Sequence, residues 1–232
     1  MMTCDSLELR QGSFVLHADL QFLASGVTAL IGPSGSGKST LLAALAGFLD
    51  PKSGRVLWEW QDITSKPPGA RPMSILFQDN NLFPHLTIGQ NVGLALRPGL
   101  RLSAEQQNQV SDVLARVGLV GFYDRKPAAL SGGQQSRAAL ARVLLRDRPV
   151  VLLDEPIAAL GPGLKDEMLD LVQEQLSAKG RTLVMVTHDP ADAKRVADEV
   201  VLVAAAQAHA PVVTHDLFAD PPDALVDYLG KG

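Results

Sequence analysis

Gly32-Pro33-Ser34-Gly35-Ser36-Gly37-Lys38-Ser39 has the spacing G-x-x-x-x-G-K-[ST]. That pattern suits phosphate: backbone N–H groups must wrap around phosphate oxygens without Cβ atoms in the way, which glycine permits. A helix beginning there adds the partial positive charge of its N-terminus. Lys38 would reach the β and γ phosphates of a nucleoside triphosphate, the Ser39 hydroxyl would ligate Mg²⁺, and Thr40 belongs to the same phosphate-binding set. The plain alternative is a glycine-rich turn before a helix, but a chance match in a chain of this length is on the order of one percent.

A second site candidate is Val150-Val151-Leu152-Leu153-Asp154-Glu155, four apolar residues ending in two acids. Neighbouring side chains on a strand point to opposite sides, so the two carboxylates need separate tasks at the strand's C-terminal edge, where open α/β sheets bind ligands. Asp154 would hold the metal ion and Glu155 would act as general base on the attacking water. Two acids after a strand are otherwise ordinary turn formers; the phosphate loop tips the reading to catalysis. A third candidate is Leu130-Ser131-Gly132-Gly133-Gln134 before a helical stretch reaching Leu145. A serine and two glycines at a helix start make another anion-binding end.

Apolar clusters bounded by Gly and Pro alternate with longer helical patterns, the form of strand and crossover helix in a mostly parallel sheet. Val27–Ile31, Met73–Phe77, Val150–Leu153, Leu183–Val186 and Val200–Val203 read as buried strands, and a helix runs from the phosphate loop to Gly47. Residues 79–149 read as an inserted helical subdomain. There, Thr87 with Gln90 and Ser103 with Gln106 have capping-box spacing, and Val110, Val113, Leu114 and Val117 form one apolar helical face. Leu164, Met168, Leu171 and Val172 mark a later helix, with Pro162 in its first turn and Gly180 past its end. After Val203 little core-forming sequence is expected, only a tail ending in Leu225 to Leu229.

The chain has 232 residues with 21 Lys plus Arg against 25 Asp plus Glu, a formal net charge of −4. That length fits one large α/β domain with an insertion, and the balance lacks the basic excess expected of a nucleic-acid binder. Cys4 is the only cysteine, which excludes an intramolecular disulfide and a cysteine-rich zinc site and fits a reducing compartment. The start, Met1-Met2-Thr3-Cys4-Asp5, has neither the basic residues nor the apolar stretch of a secretory signal. The longest apolar run, Leu41 to Leu49 with Gly47 allowed, is far short of the ~20 residues that cross a bilayer.

Taken together, the phosphate loop, LSGGQ at 130–134 and the Asp-Glu strand end resemble the ATP-binding cassette (ABC) transporter ATPases over nearly all of residues 7–203. The resemblance implies a P-loop NTPase fold: a mostly parallel sheet core (RecA-like, about 1–78 and 150–210), an N-terminal antiparallel β part, the helical subdomain at 79–149 and a short C-terminal tail at 211–232. It also implies a head-to-tail homodimer that sandwiches each ATP between one copy's phosphate loop and the other's LSGGQ, so that Ser131, Gly133 and Gln134 contact the γ-phosphate across the interface. Gln78 matches the glutamine that couples Mg²⁺ and γ-phosphate to the helical subdomain and the membrane partner. His188, after Val184-Met185-Val186-Thr187, matches the switch histidine that contacts the γ-phosphate.

Three positions depart from the family. Gly161, within Ala158-Ala159-Leu160-Gly161-Pro162, stands where an Asp usually helps the two sites communicate. Gln135 and Ser136 replace the usual basic residue and Gln after LSGGQ. No aromatic for adenine lies at Gln11 or Gly12; Phe14 is the nearest substitute, and lost stacking would cost ~1 to 2 kcal/mol.

The stretch Leu76-Phe77-Gln78-Asp79-Asn80-Asn81-Leu82-Phe83-Pro84-His85-Leu86-Thr87, continuing through Gly89-Gln90-Asn91-Val92-Gly93-Leu94 and Pro98-Gly99-Leu100, resembles the ATPase subunits of bacterial thiamine importers. Ala46-Gly47-Phe48-Leu49 and Arg71-Pro72 agree with it. Many importer ATPases share Leu-Phe-Pro-His-Leu-Thr, so another small solute stays open. The implied partners are a two-copy transmembrane permease and a periplasmic thiamine-binding protein, and the implied place is the cytoplasmic face of the bacterial inner membrane. A soluble P-loop phosphotransferase is the rival from another class, disfavoured because it has no use for a second phosphate-binding helix start. A non-transport ABC ATPase usually carries a long coiled coil or two cassettes, which 232 residues do not hold.

Overall fold

The computed structural model describes every residue except 159, 178, 179, 231 and 232. Two compact units emerge: Met1–Met73 with Pro149–Asp154 and Leu176–Gly232, and Ser74–Arg148 with Glu155–Gln175.

In the first unit, the unbroken apolar runs become strands buried along their whole length: β3 (Val27–Ile31), β7 (Val150–Asp154), β8 (Thr182–Val186) and β9 (Glu199–Ala204). They pair in parallel in the order β9-β3-β8-β7, the arrangement that tolerates such sequences because both faces are covered. β1 (Met2–Gln11), β2 (Phe14–Phe22), β4 (Ser53–Trp58) and β5 (Gln61–Asp62) form the antiparallel part. Their signal is alternation instead: Leu16, Ala18, Leu20 and Phe22 are buried while His17, Asp19 and Gln21 face solvent. β10 (Gln207–Ala208) bridges β9 and β2, and β11 (Val212–Val213) pairs with β9. β6 (Met73–Leu76) starts at the unit's boundary.

Helix α1 (Lys38–Ala46) follows β3 and stops at Gly47, whose φ of 84° is left-handed. Its last carbonyls are met by a fully buried arginine: the Arg71 guanidinium donates to Ala44 O at 2.8 Å and Leu45 O at 2.6 Å. A cation at a helix C-terminus also faces the negative end of the dipole. Burial pulls the Arg71 pKa below its usual value, opposed by the carboxylates of Asp50 and Asp62.

The chain after Val203 departs from the expectation of a tail poor in core residues. Leu217 of α7 (Thr214–Ala219) and Leu225 of α8 (Asp223–Leu229) are buried in one cluster with Ala29, Ile31, Val200, Leu202 and Ala193, the last from α6 (Pro190–Val196). Each short helix contributes only one such leucine, too little for a periodic pattern to announce.

The second unit carries α2 (Ile88–Gly93), α3 (Ala104–Arg116), α4 (Gly132–Leu145) and most of α5 (Pro162–Ser177). Both expected capping boxes form, Thr87 with Gln90 and Ser103 with Gln106. Val110, Val113, Leu114 and Val117 are buried as their spacing requires. Asn91, fully buried, accepts from Phe83 N at 2.7 Å and donates to Phe83 O and Thr87 O, so the loop before α2 is stapled to the helix. Among the described residues, no helix is long and apolar enough to cross a membrane.

Candidate functional site

In the first unit, Leu30 lies opposite Val186, and Val186 lies opposite Asp154. β3, β8 and β7 therefore end together, and the phosphate loop, Asp154 and the Thr187–His188 turn leave the sheet along one C-terminal edge. That edge is where ligands of parallel sheets bind.

The loop itself is shaped by two glycines. At Gly32, φ is 145° and a Cβ would sit 2.1 Å from the Val203 carbonyl oxygen. At Gly37, φ is 103° and a Cβ would sit 2.6 Å from the Phe14 ring. Phe14, the substitute considered for adenine, thus has its ring edge against the loop's last glycine. Lys38 is buried, and its ammonium donates to Gly32 O and Pro33 O, both at 2.8 Å, holding the loop closed. Pro33, Ser34 and Gly35 are exposed, and Thr40 is half-buried in the first turn of α1.

The start of α1 differs from those of α2, α3 and α4. Its N-cap, Gly37, offers no capping side chain, whereas the other three begin with capping boxes. Its amide donors are thus left for a ligand, and the dipole favours an anionic one. The Ser36 hydroxyl oxygen is shut away from solvent and has no hydrogen-bond partner among the described residues. An orphaned polar atom inside a cradle of backbone amides fits a phosphate.

Beside it, the Ser39 hydroxyl donates to Asp154 Oδ1 at 3.0 Å. A hydroxyl and a carboxylate oxygen held side by side suit a hard cation such as Mg²⁺, which takes one or two protein oxygens and completes its shell with water and substrate phosphates. Among the described residues there is no cluster of three or more His, Cys, Asp or Glu side chains that would form an all-protein metal cage, as this mode of binding requires none.

His188 is exposed at the end of β8. Its neighbours are tied down. Thr187 N donates to Leu30 O at 3.2 Å, the Thr187 hydroxyl donates to the buried Asp192 carboxylate at 2.9 Å, and Asp189 N donates to Thr187 Oγ1 at 3.1 Å.

Gln78, Ser131, Gly133, Gln134 and Glu155 belong to the second unit. Gln78 is exposed in the turn after β6. That turn continues through Asn80 and Asn81, both left-handed at φ 62° and 46°. Arg142 of α4 donates to their carbonyls at 3.1 and 2.8 Å, linking the helix that starts at LSGGQ to the loop that carries Gln78. Burial lowers the Arg142 pKa, and Arg146 adds to the effect. Residue spacing gave no sign of this link, since its partners stand 61 and 62 positions away.

Ser131 and Gln134 form a third capping box: Gln134 N donates to Ser131 Oγ at 3.4 Å and Ser131 N donates to Gln134 Oε1 at 3.0 Å. The Ser/Thr-x-x-Gln spacing that marks α2 and α3 is present within LSGGQ as well, overshadowed by its glycines. Gln135, one of the departures from the family pattern, donates to Pro127 O and Leu130 O, and Ser136 donates to Gly132 O. Gly161 has open space where a Cβ would project, so no packing forbids an Asp there. Ala159, in the same loop, lies outside the described residues. Glu155 has φ 48°, left-handed for a residue with a full side chain. Such a conformation costs ~1–2 kcal/mol and tends to persist where function requires it.

A family model described as ABC transporter matches residues 16–158. A thiamine import ATP-binding protein of Ruegeria sp. (strain TM1040) is 55% identical over 230 residues, covering 99% of this chain and 100% of that protein. One from Cereibacter sphaeroides is 56% identical over the same shares, and one from Yersinia pseudotuberculosis serotype I is 52% identical over 80% of this chain and 78% of its own length. A solved dimeric structure of a bacterial ABC transporter cassette, 27% identical, superposes with a TM-score of 0.83 over 92% of this chain and 99% of that one. A dimeric post-hydrolysis ATP-binding cassette bound to ADP and Pi superposes equally well, with a TM-score of 0.83.

Proposed function

The chain belongs to the ABC transporter family, and from that premise we propose that it is the ATP-hydrolysing subunit of a bacterial importer, energising thiamine uptake through a membrane permease. The observation that carries the nucleotide part is the uncapped start of α1 beside the Ser39–Asp154 pair, an anion cradle next to a pair of hard oxygen donors. Thiamine as the solute is supported by similarity above half identity over whole chains to thiamine import ATP-binding proteins.

In the proposed reaction, backbone amides of residues 32–39 and the Lys38 ammonium hold the β and γ phosphates. Ser39, Gln78 and Asp154 would hold Mg²⁺, which when bound neutralises charge on the phosphate oxygens. Glu155 takes a proton from the attacking water, whose oxygen bonds to the γ-phosphorus as the bond to the bridging oxygen breaks; ADP and phosphate leave. His188 contacts the γ-phosphate, as do Ser131, Gly133 and Gln134 of a second copy. ATP binding would close the homodimer, and closure would pull on a two-copy permease at the cytoplasmic face of the inner membrane, fed by a periplasmic thiamine-binding protein.

Reconstitution with the permease in liposomes tests this. Thiamine-loaded binding protein should stimulate ATP turnover, unloaded protein should stimulate it less, and Lys38→Ala should abolish both nucleotide binding and turnover. Turnover indifferent to thiamine but responsive to another solute would keep the ATPase and remove the substrate.

A further inference from the structure

At seven residues, without a capping side chain at Pro222, α8 is too short to be stable alone. Leu225, fully buried among Ala29, Ile31, Ala193 and Leu202, fixes its position. Tyr228, three residues on and so on the same helix face, packs against that cluster, and its hydroxyl donates to the backbone carbonyl of His188.

The residues flanking His188 are held locally. Thr187 is bonded to β3 and to Asp192, and Asp189 is bonded to Thr187 while its carboxylate caps Ala191 at 2.9 Å. The peptide between His188 and Asp189 is thus held at both ends, its N–H by Thr187 Oγ1 and its carbonyl oxygen by Tyr228. The imidazole is exposed.

We propose that Tyr228 is a positioning residue for His188: the end of the chain orients the peptide at the sheet edge so that the imidazole faces the γ-phosphate. The inference rests on the reading of His188 as the γ-phosphate contact. In this role Tyr228 acts through His188 and not on the nucleotide itself. Its loss reduces the fraction of molecules with His188 in productive geometry, which lowers turnover and leaves ground-state binding by the phosphate loop intact.

The experiment uses the full chain and compares Tyr228→Phe, His188→Ala and the double variant for kcat and KM with Mg-ATP, for Mg-ADP affinity and for apparent Tm. Phenylalanine keeps the ring and its packing. The expected result is a kcat lowered roughly three- to tenfold in Tyr228→Phe, with KM and ADP affinity unchanged and Tm lowered by no more than the roughly 2–4 °C that one neutral hydrogen bond is worth. The double variant should turn over no slower than His188→Ala. Wild-type kcat in Tyr228→Phe while His188→Ala is slow would overturn the inference alone. So would a double variant slower than His188→Ala, or a fall in kcat matched by losses of Tm and ADP affinity, which would mark a merely structural tyrosine. Wild-type kcat in His188→Ala would overturn the reading of His188 and this inference with it.

Discussion

A methyl group at position 32 would meet the Val203 carbonyl oxygen at 2.1 Å, on a backbone whose φ of 145° suits glycine. Overpacking and backbone strain each cost about 1–3 kcal/mol, so Gly32→Ala should destabilise the protein by about 3 kcal/mol. Calorimetry should show that as a Tm lower by roughly 6–12 °C. Gly35 is the control. Its φ of 78° is also left-handed, but nothing lies within 4 Å of its missing Cβ, so Gly35→Ala should cost only about 1 kcal/mol. Equal losses at the two positions would contradict the geometry. The glycine requirement was legible in residue order because the phosphate loop is a local structure. That Val203 and Phe14 are what close in on the glycines was not, since both come from distant strands.

At the scale of the helix, identical local devices serve different ends. Ser103 and Ser131 each open a helix as the N-cap of a capping box, and removing either hydroxyl should cost ~1 kcal/mol of stability. Ser131→Ala should in addition lose ATP turnover while nucleotide binding persists, because the phosphate loop supplies that binding. Ser103→Ala should lose stability alone. A parallel measurement of unfolding and turnover separates capping from chemistry; equal turnover in the two variants would reduce LSGGQ to a helix start. The buried parallel strands and the capping boxes of α2 and α3 were read correctly because apolar runs and Ser/Thr-x-x-Gln spacing act over a few residues. The Arg142 clamp on Asn80 and Asn81 was not, since it joins elements far apart in the chain.

For the molecule as a whole, the proposed function makes the site a shared one, in which the start of α4 of a second copy meets the γ-phosphate. Glu155→Gln should remove the general base while preserving size and backbone, so ATP binds and stays. Light scattering should then show doubling of mass on addition of Mg-ATP, and no doubling with Lys38→Ala added. A Glu155→Gln chain that remains monomeric at saturating Mg-ATP, alone and with its permease, would refute the shared site.

The order of residues alone determined the phosphate loop, the acid pair at the end of β7, the buried parallel strands and the capped starts of α2 and α3. These rest on glycine conformation, on burial patterns of period two or less and on contacts within one helical turn, all of which operate between near neighbours. Only the tertiary structure decided that Leu217 and Leu225 complete the core and that Tyr228 meets a carbonyl 40 residues earlier. One buried leucine on a helix of six or seven residues carries no period to read, and a hydroxyl does not reveal its acceptor until the fold brings the two together.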